Sequence, residues 1–163
     1  MKELLLDAVA AGRDAYVEVR LRRRWTTTVV YRRRRPEVAA EADLLGGVVR
    51  CLVPGFGWGA VAFNAVDRAA TAVQRARELS LELRPESPIV LAPIPIRQIE
   101  SASELDDDPR LAPREEKRRC LEQLTHELLA TDRRIVDSRT TYADTVHETW
   151  LATRDGSWLP EQK

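Results

Sequence analysis

Two histidine–glutamate pairs are the first places in this sequence where metal chemistry could occur. They are His126-Glu127 and His147-Glu148, and the chain contains no other histidine. A helical HExxH zinc site needs its second histidine four residues after the first, so that both ligands lie on one face of the helix. Those positions hold Ala130 and Leu151. We therefore predict no metal ligand in this chain and identify no catalytic residue in it. A small enzyme whose site follows no known motif stays open as an alternative, and it would need a cleft with perturbed titratable groups.

Nucleophilic chemistry has no better support in the sequence. No serine lies in a G-x-S-x-G motif. Cys120 lies six residues before His126, a spacing that does not place the two on one helix face, and Cys51 has no histidine nearby. Neither cysteine belongs to a CxxC pattern, so the sequence favours two buried thiols in a reduced cytosolic protein. The segment Gly55–Gly59 lacks the lysine of a phosphate loop and is interpreted as a turn.

Arginine is the residue that departs most from an average distribution. Eight arginines occur within residues 20–35, with no acidic residue among them, although the whole chain has 26 basic and 26 acidic residues and a formal net charge of zero. The candidate basic patch consists of Arg20, Arg22, Arg24, Arg33 and Arg35. One interpretation is a module that binds nucleic acid or an acidic partner through an arginine hairpin. The other is an edge hairpin that its charges protect from aggregation.

The stretch Gly46–Asn64 organises the elements that would position these residues. Val48 to Val53 is mostly β-branched or apolar and predicts a strand, and residues 58–63 predict a second strand. Pro54 to Gly57 predicts the connecting turn. Trp58, between two glycines, is interpreted as a core or interface anchor.

The remaining pattern predicts an α+β protein with a largely antiparallel sheet covered by helices, in one domain over residues 1–163. The predicted order is α-β-β-β-β-α-(Pro-rich arm)-α-β-β. The predicted helices are Lys2–Ala11, Asp67–Leu83 and a third from Pro113 to about Thr131, which buries Leu121, Leu124 and Leu128. The other predicted strands are Tyr16–Arg24, Thr26–Tyr31, Arg134–Tyr142 and Thr145–Thr153, and Glu37–Leu45 is predicted to be a loop or one helical turn.

Residues 84–108 form a proline-rich arm, which we call the arm throughout. Its prolines exclude a helix, and its apolar residues predict an extended segment that cannot bury them all locally. The candidate interface residues are therefore Trp58, Ile89, Leu91, Ile94 and Ile96. No segment approaches the roughly 20 apolar residues that a membrane-spanning helix needs.

Several short motifs, in this order and spacing, resemble the N-terminal domain of the TldD/PmbA family, also called modulators of DNA gyrase. The resemblance covers nearly the whole chain. Val49 stands where the family commonly has glycine, and residues 32–41 are unusually rich in arginine and alanine. The motifs are Ala15–Arg20, Gly47–Arg50, Trp58–Ala60, Phe63-Asn64, Asp108–Arg110, Pro113, Glu116-Lys117, Tyr142 and Asp155-Gly156.

The resemblance implies a peptidase-like subunit without its catalytic part. The family consists of zinc peptidase subunits whose HExxxH ligands and catalytic glutamate lie C-terminal to everything present here. The fifth residues after the two histidines are Thr131 and Ala152, so neither pair completes that motif. The resemblance therefore implies a cytoplasmic assembly or substrate-cavity domain that is inactive alone and binds no cofactor itself. Its implied partners are a second copy or a catalytic TldD/PmbA-type subunit, with peptide substrate only in the full assembly.

Overall fold

The computed structural model describes residues 1–102 and 104–163 as a five-stranded sheet with three α-helices. The strands are hydrogen-bonded in the order β3-β2-β1-β4-β5. Both β2–β3 and β4–β5 pair antiparallel, which confirms the predicted α+β class. The elements are α1 (Lys2–Ala10), β1 (Tyr16–Arg32), β2 (Arg35–Leu52), β3 (Trp58–Phe63), α2 (Ala69–Glu82), α3 (Arg114–Thr131), β4 (Arg139–Thr153) and β5 (Trp158–Gln162).

Three strands are longer than predicted. The two strands predicted within residues 16–31 are one continuous strand, β1. The strands predicted at Arg134–Tyr142 and Thr145–Thr153 are also one strand, β4, which begins at Arg139 and not at Arg134. The prediction for Glu37–Leu45 was wrong, because this segment belongs to β2. All of its residues except Leu45 are exposed, so burial does not alternate along this segment as it does along a half-buried strand. Pairing within the sheet outweighs the weak strand preference of alanine and glutamate.

The chain divides into two compact units. Unit 1 comprises Met1–Arg23, Leu45–Glu104 and Glu148–Gln162, and unit 2 comprises Arg24–Leu44, Leu105–His147 and Lys163. The core of unit 1 joins α1 and α2 to one face of the sheet. In β1 the alternate residues Val17, Val19 and Leu21 are buried in that core, as the period of two predicts. Unit 2 has a smaller core of Val29, Tyr31 and Leu121, on which Tyr142 packs.

Close contact between α2 and the β2–β3 connection fixes the position of Trp58. The buried Ser80 hydroxyl accepts a hydrogen bond from the Val53 amide at 2.9 Å and donates one to the Gly57 carbonyl at 2.6 Å. A β-carbon at Gly59 would lie 1.8 Å from the carbonyl oxygen of Ala76. Gly59 therefore faces α2 directly. Because neighbouring strand residues point to opposite faces, Trp58 lies on the face away from the helices.

The C-terminal half of the arm is attached to unit 1 through backbone contacts with β5. Gln98 forms a parallel bridge with Trp158, and the amide of Trp158 donates to the carbonyl of Arg97 at 2.8 Å. The side-chain amide of Gln98 also donates to the Gly156 carbonyl at 3.1 Å. These bonds add a short backbone contact to β5, the last strand of the sheet.

α3 does not bury the face that its leucines predict. Its buried residues are Lys117, Leu121 and Thr125, whereas Leu124 and Leu128 are 53% and 40% exposed. The prediction of two buried thiols was wrong for Cys120, which is exposed because it lies outside this buried row. Cys51 is buried, and burial raises the pKa of its thiol. Among the described helices, none is long and apolar enough to span a membrane.

Candidate interaction surface

The predicted interface residues of the arm are mostly exposed. Ile94 and Ile96 are 70% and 60% exposed, and Leu91 is also exposed, while Ile89 is partly buried. The neighbouring Val90 is more exposed than any of them. Large apolar side chains exposed side by side on an extended segment are typical of a contact site.

Trp58, the fifth predicted interface residue, is partly buried and lies outside the core of unit 1. The ring of Tyr16 meets it edge-on, with ring centres 5.8 Å apart. The guanidinium carbon of Arg50 lies 4.3 Å from the centre of the indole ring, at cation–π distance. Trp58 was predicted to be a core or interface anchor; it lies outside the buried core of unit 1, and its interface role stays a prediction. We call Trp58, Tyr16 and Arg50 together the Trp58 platform.

Two acidic groups accompany this aromatic platform. Glu18 accepts hydrogen bonds from the Arg50 guanidinium at 3.1 Å and from the Tyr16 hydroxyl at 3.2 Å. Burial, together with the Glu18 charge, raises the pKa of Tyr16 to about 12, so that hydroxyl stays protonated. Asp155 accepts hydrogen bonds from the Thr153 hydroxyl and the Ser157 amide within the β4–β5 turn.

The platform and the arm enclose a cleft of about 490 Å³. One wall is charged and aromatic and comes from the sheet. The other is apolar and comes from the arm. The cleft is lined by Tyr16, Glu18, Arg50, Trp58, Leu91, Ala92, Pro93, Ile94 and Asp155. Three of the five predicted interface residues therefore contribute to one cleft in unit 1.

The predicted basic patch falls into two groups. Arg20 and Arg22 belong to unit 1 and are exposed on the strand face that carries Glu18, whereas Arg24, Arg33 and Arg35 belong to unit 2. Within unit 2, the Nε of Arg33 lies 3.2 Å from Asp137. A groove of about 930 Å³ there is lined by Arg32–Glu37, Leu129, Ile135 and Val136.

The histidines form no metal site. His126 is exposed on α3, and His147 on β4 is partly buried, with its backbone paired to Lys163. Among residues 1–102 and 104–163, no group of three or more His, Cys, Asp and Glu side chains is arranged to hold a metal ion.

Unit 2 also contains a buried charge pair that the sequence reasoning missed. The ammonium of Lys117 lies 2.7 Å from Asp144 and donates to the Thr27 hydroxyl at 3.2 Å, and Tyr142 donates to Asp144 at 2.7 Å. Burial disfavours ionisation of Asp144, but the hydrogen bonds from Lys117 and Tyr142 and the charge of Lys117 outweigh burial and lower the pKa of Asp144. Burial raises the pKa of Tyr142 to about 12. Only the motif Glu116-Lys117 pointed to this position, and it gave no sign that Lys117 is buried.

Comparison with known proteins supports one relationship. Residues 17–80 match the family model described as PmbA/TldA metallopeptidase domain 1. No curated protein matches the sequence.

Solved structures share the fold over 99% of the chain. A protein from Bacteroides thetaiotaomicron described as a modulator of DNA gyrase is 17% identical, with a TM-score of 0.77 and 38% of its own length covered. A similarly described protein from Thermotoga maritima is 16% identical, with a TM-score of 0.74 and 37% covered. TldE from Thermococcus kodakarensis is 11% identical, with a TM-score of 0.67 and 37% covered. The chain thus spans less than two fifths of each relative.

Proposed function

We propose that the chain is a non-catalytic assembly domain of a TldD/PmbA-type peptidase subunit. The match of residues 17–80 to the family model, and the fold shared with proteins described as modulators of DNA gyrase, support this proposal. The single observation that carries this proposal is the exposed apolar arm beside the Trp58 platform. The domain would help to enclose the cavity that receives peptides, and zinc and the catalytic glutamate would come from the part of the family protein that this chain does not span.

The proposal commits to self-association or to binding of a catalytic TldD/PmbA-type subunit. A second copy is the partner that can be tested with this chain alone. Two copies would bury the same apolar residues against each other, as closed two-fold dimers do. The free Cys51 and Cys120 support a cytoplasmic, reducing location.

The experiment that tests the proposal measures self-association of the arm variants. The double variant Ile94→Asp and Ile96→Asp should move the protein toward monomer, because each carboxylate would be desolvated in the interface. Its thermal midpoint should stay near that of the wild type, since both side chains are exposed. Sedimentation velocity at several concentrations measures the shift.

The matched control is Leu111→Asp, which changes an exposed leucine of unit 2 outside the arm. It should sediment as the wild type does. A wild type that remains monomeric at every concentration, or a double variant that assembles as well as the control, would contradict the proposal.

A further inference from the structure

The face of the unit 1 sheet opposite α1 and α2 carries three exposed arginines. Val17, Val19 and Leu21 point into the core with α1 and α2, so Glu18, Arg20 and Arg22 point to the opposite face. Arg50 lies on that same face, because its guanidinium pairs with Glu18. Arg20, Arg22 and Arg50 are all exposed. With Glu18 as the acidic residue among them, these four side chains carry a net positive charge.

Arg50 is held in place while most of its hydrogen-bonding capacity is unused. One of its terminal nitrogens donates to Glu18, and its guanidinium carbon lies over the Trp58 ring. Its side chain is nevertheless 47% exposed. A guanidinium has five N–H donors in a rigid fork that matches a carboxylate, so a second carboxylate can bind beside Glu18. An arginine already oriented by a ring and an ion pair loses less freedom on binding.

The chain itself contains a segment of the complementary charge. Directly after the apolar part of the arm come Glu100, Glu104, Asp106 and Asp107, and all four are exposed. An arm therefore presents apolar residues first and carboxylates next. In unit 1 the apolar wall of the cleft lies beside Arg50, and we call Arg20, Arg22 and Arg50 together the basic face.

We propose that Arg50, with Arg20 and Arg22, binds the acidic end of the arm of a second copy of this chain. The inference rests on the proposed self-association. It names the contact that sets how the two copies are oriented in the dimer. Under two-fold symmetry each copy supplies one acidic segment and one basic face, so the contact occurs twice. Such pairs add specificity and register to the apolar contact of the arms.

A protein partner fits this surface better than a nucleic acid does. Arg50 already covers one face of the Trp58 ring, and the Tyr16 ring contacts it at 90°, which leaves less of the ring for a base to stack on. The neighbouring wall of Leu91 to Ile94 is apolar and suits side chains. A nucleic acid remains an outcome of the experiment.

The experiment is a charge swap measured by sedimentation equilibrium of the full chain. Arg50→Glu should weaken the dimer about tenfold or more, and so should Glu100→Arg with Glu104→Arg, because each change places like charges together. Combining all three changes should recover part of the lost affinity, because opposite charges again meet at position 50 while Arg20 and Arg22 remain. Arg50→Gln, which removes the charge but keeps a polar side chain, should also weaken the dimer. Added salt of about 0.5 M should weaken the wild-type dimer more than it weakens the dimer of Arg50→Gln.

Arg75→Glu is the matched control, because Arg75 is an exposed arginine on α2, away from the basic face. It should leave the dimer unchanged. If the wild type dimerises but Arg50→Glu behaves like this control, or the swap restores nothing, the inference is overturned while the proposed function stands. A wild type without any dimer overturns both. A third outcome would also overturn the inference, in favour of nucleic acid. In it, a single-stranded oligonucleotide binds in an Arg50-dependent way, and a peptide with the sequence of residues 99–108 does not displace it.

Discussion

Lys117→Met is expected to destabilise the protein by about 3–5 kcal/mol, the usual cost of removing one partner from a buried ion pair. The Lys117 and Asp144 side chains are only 5% and 16% exposed, so Asp144 would be left charged and desolvated. Tyr142 would still donate to it, but the ammonium that now lies 2.7 Å away would be gone. Urea unfolding at neutral pH measures the loss.

Two further variants show whether the lost pair is responsible. Arg119→Met, which removes an exposed cation from the same helix, should change the free energy of unfolding by less than about 1 kcal/mol. Lys117→Met with Asp144→Leu should recover much of the stability, because two apolar side chains leave no buried charge. A loss for Lys117→Met as small as for Arg119→Met would show that the pair is solvated in solution.

The same pair gives the destabilisation a predictable pH dependence. Asp144 has a lower pKa in the folded state than in the unfolded state, so its contribution is present above about pH 4, the usual pKa of aspartate, and is lost as the pH falls. In Lys117→Met the carboxyl can protonate in acid. The difference between wild type and variant should therefore shrink below about pH 4.

Gly59→Ala is expected to destabilise unit 1 by about 3 kcal/mol, at the upper end of the usual cost of overpacking a tight contact. The added β-carbon would lie 1.8 Å from the Ala76 oxygen and 2.7 Å from the Ser80 nitrogen. Both are backbone atoms of α2, so the helix as a whole would have to shift. That shift would disturb the hydrogen bonds of Ser80 to the β2–β3 connection.

Gly46→Ala is the control on the neighbouring strand. The nearest atom to a β-carbon there is 3.9 Å away, so no atom has to move. Its thermal midpoint should stay within a few degrees of that of the wild type, since the free energy of unfolding should change by less than about 1 kcal/mol. Equal midpoints for Gly59→Ala and wild type would mean that α2 packs less closely on β3 than described.

The parts of the fold that alternate clearly were predictable from the sequence. The first part of β1 alternates Val17, Val19 and Leu21 with polar residues, and α2 shows Val73 and Ala76 on one helical face. Residues 37–44 could not be recognised as strand, because exposure of every side chain leaves no pattern. The buried face of α3 was misassigned because Lys117 and Thr125 are polar, and their burial depends on Asp144, Thr27 and Thr140, which come from distant parts of the chain.

The candidate site was predicted in part for the same reason. The arm could be recognised locally, since a proline-broken apolar run has nowhere to bury its side chains. Trp58 was chosen because glycines flank it, although Gly59 is needed for α2 and not for the indole. The stacking of Arg50 on Trp58 and its pairing with Glu18 depend on neighbours in three different strands, and a single sequence does not show that register.

The central claim, that the arm becomes buried when the chain assembles, is tested most directly by hydrogen exchange of the arm itself. The amides of Val90, Leu91, Ala92, Ile94 and Ile96 can be followed by mass spectrometry at low and high protein concentration. The claim predicts that these amides exchange more slowly as concentration rises, while those of the exposed residues Val136 and Asp137 do not change. Exchange in the arm that is equally fast at every concentration would contradict it.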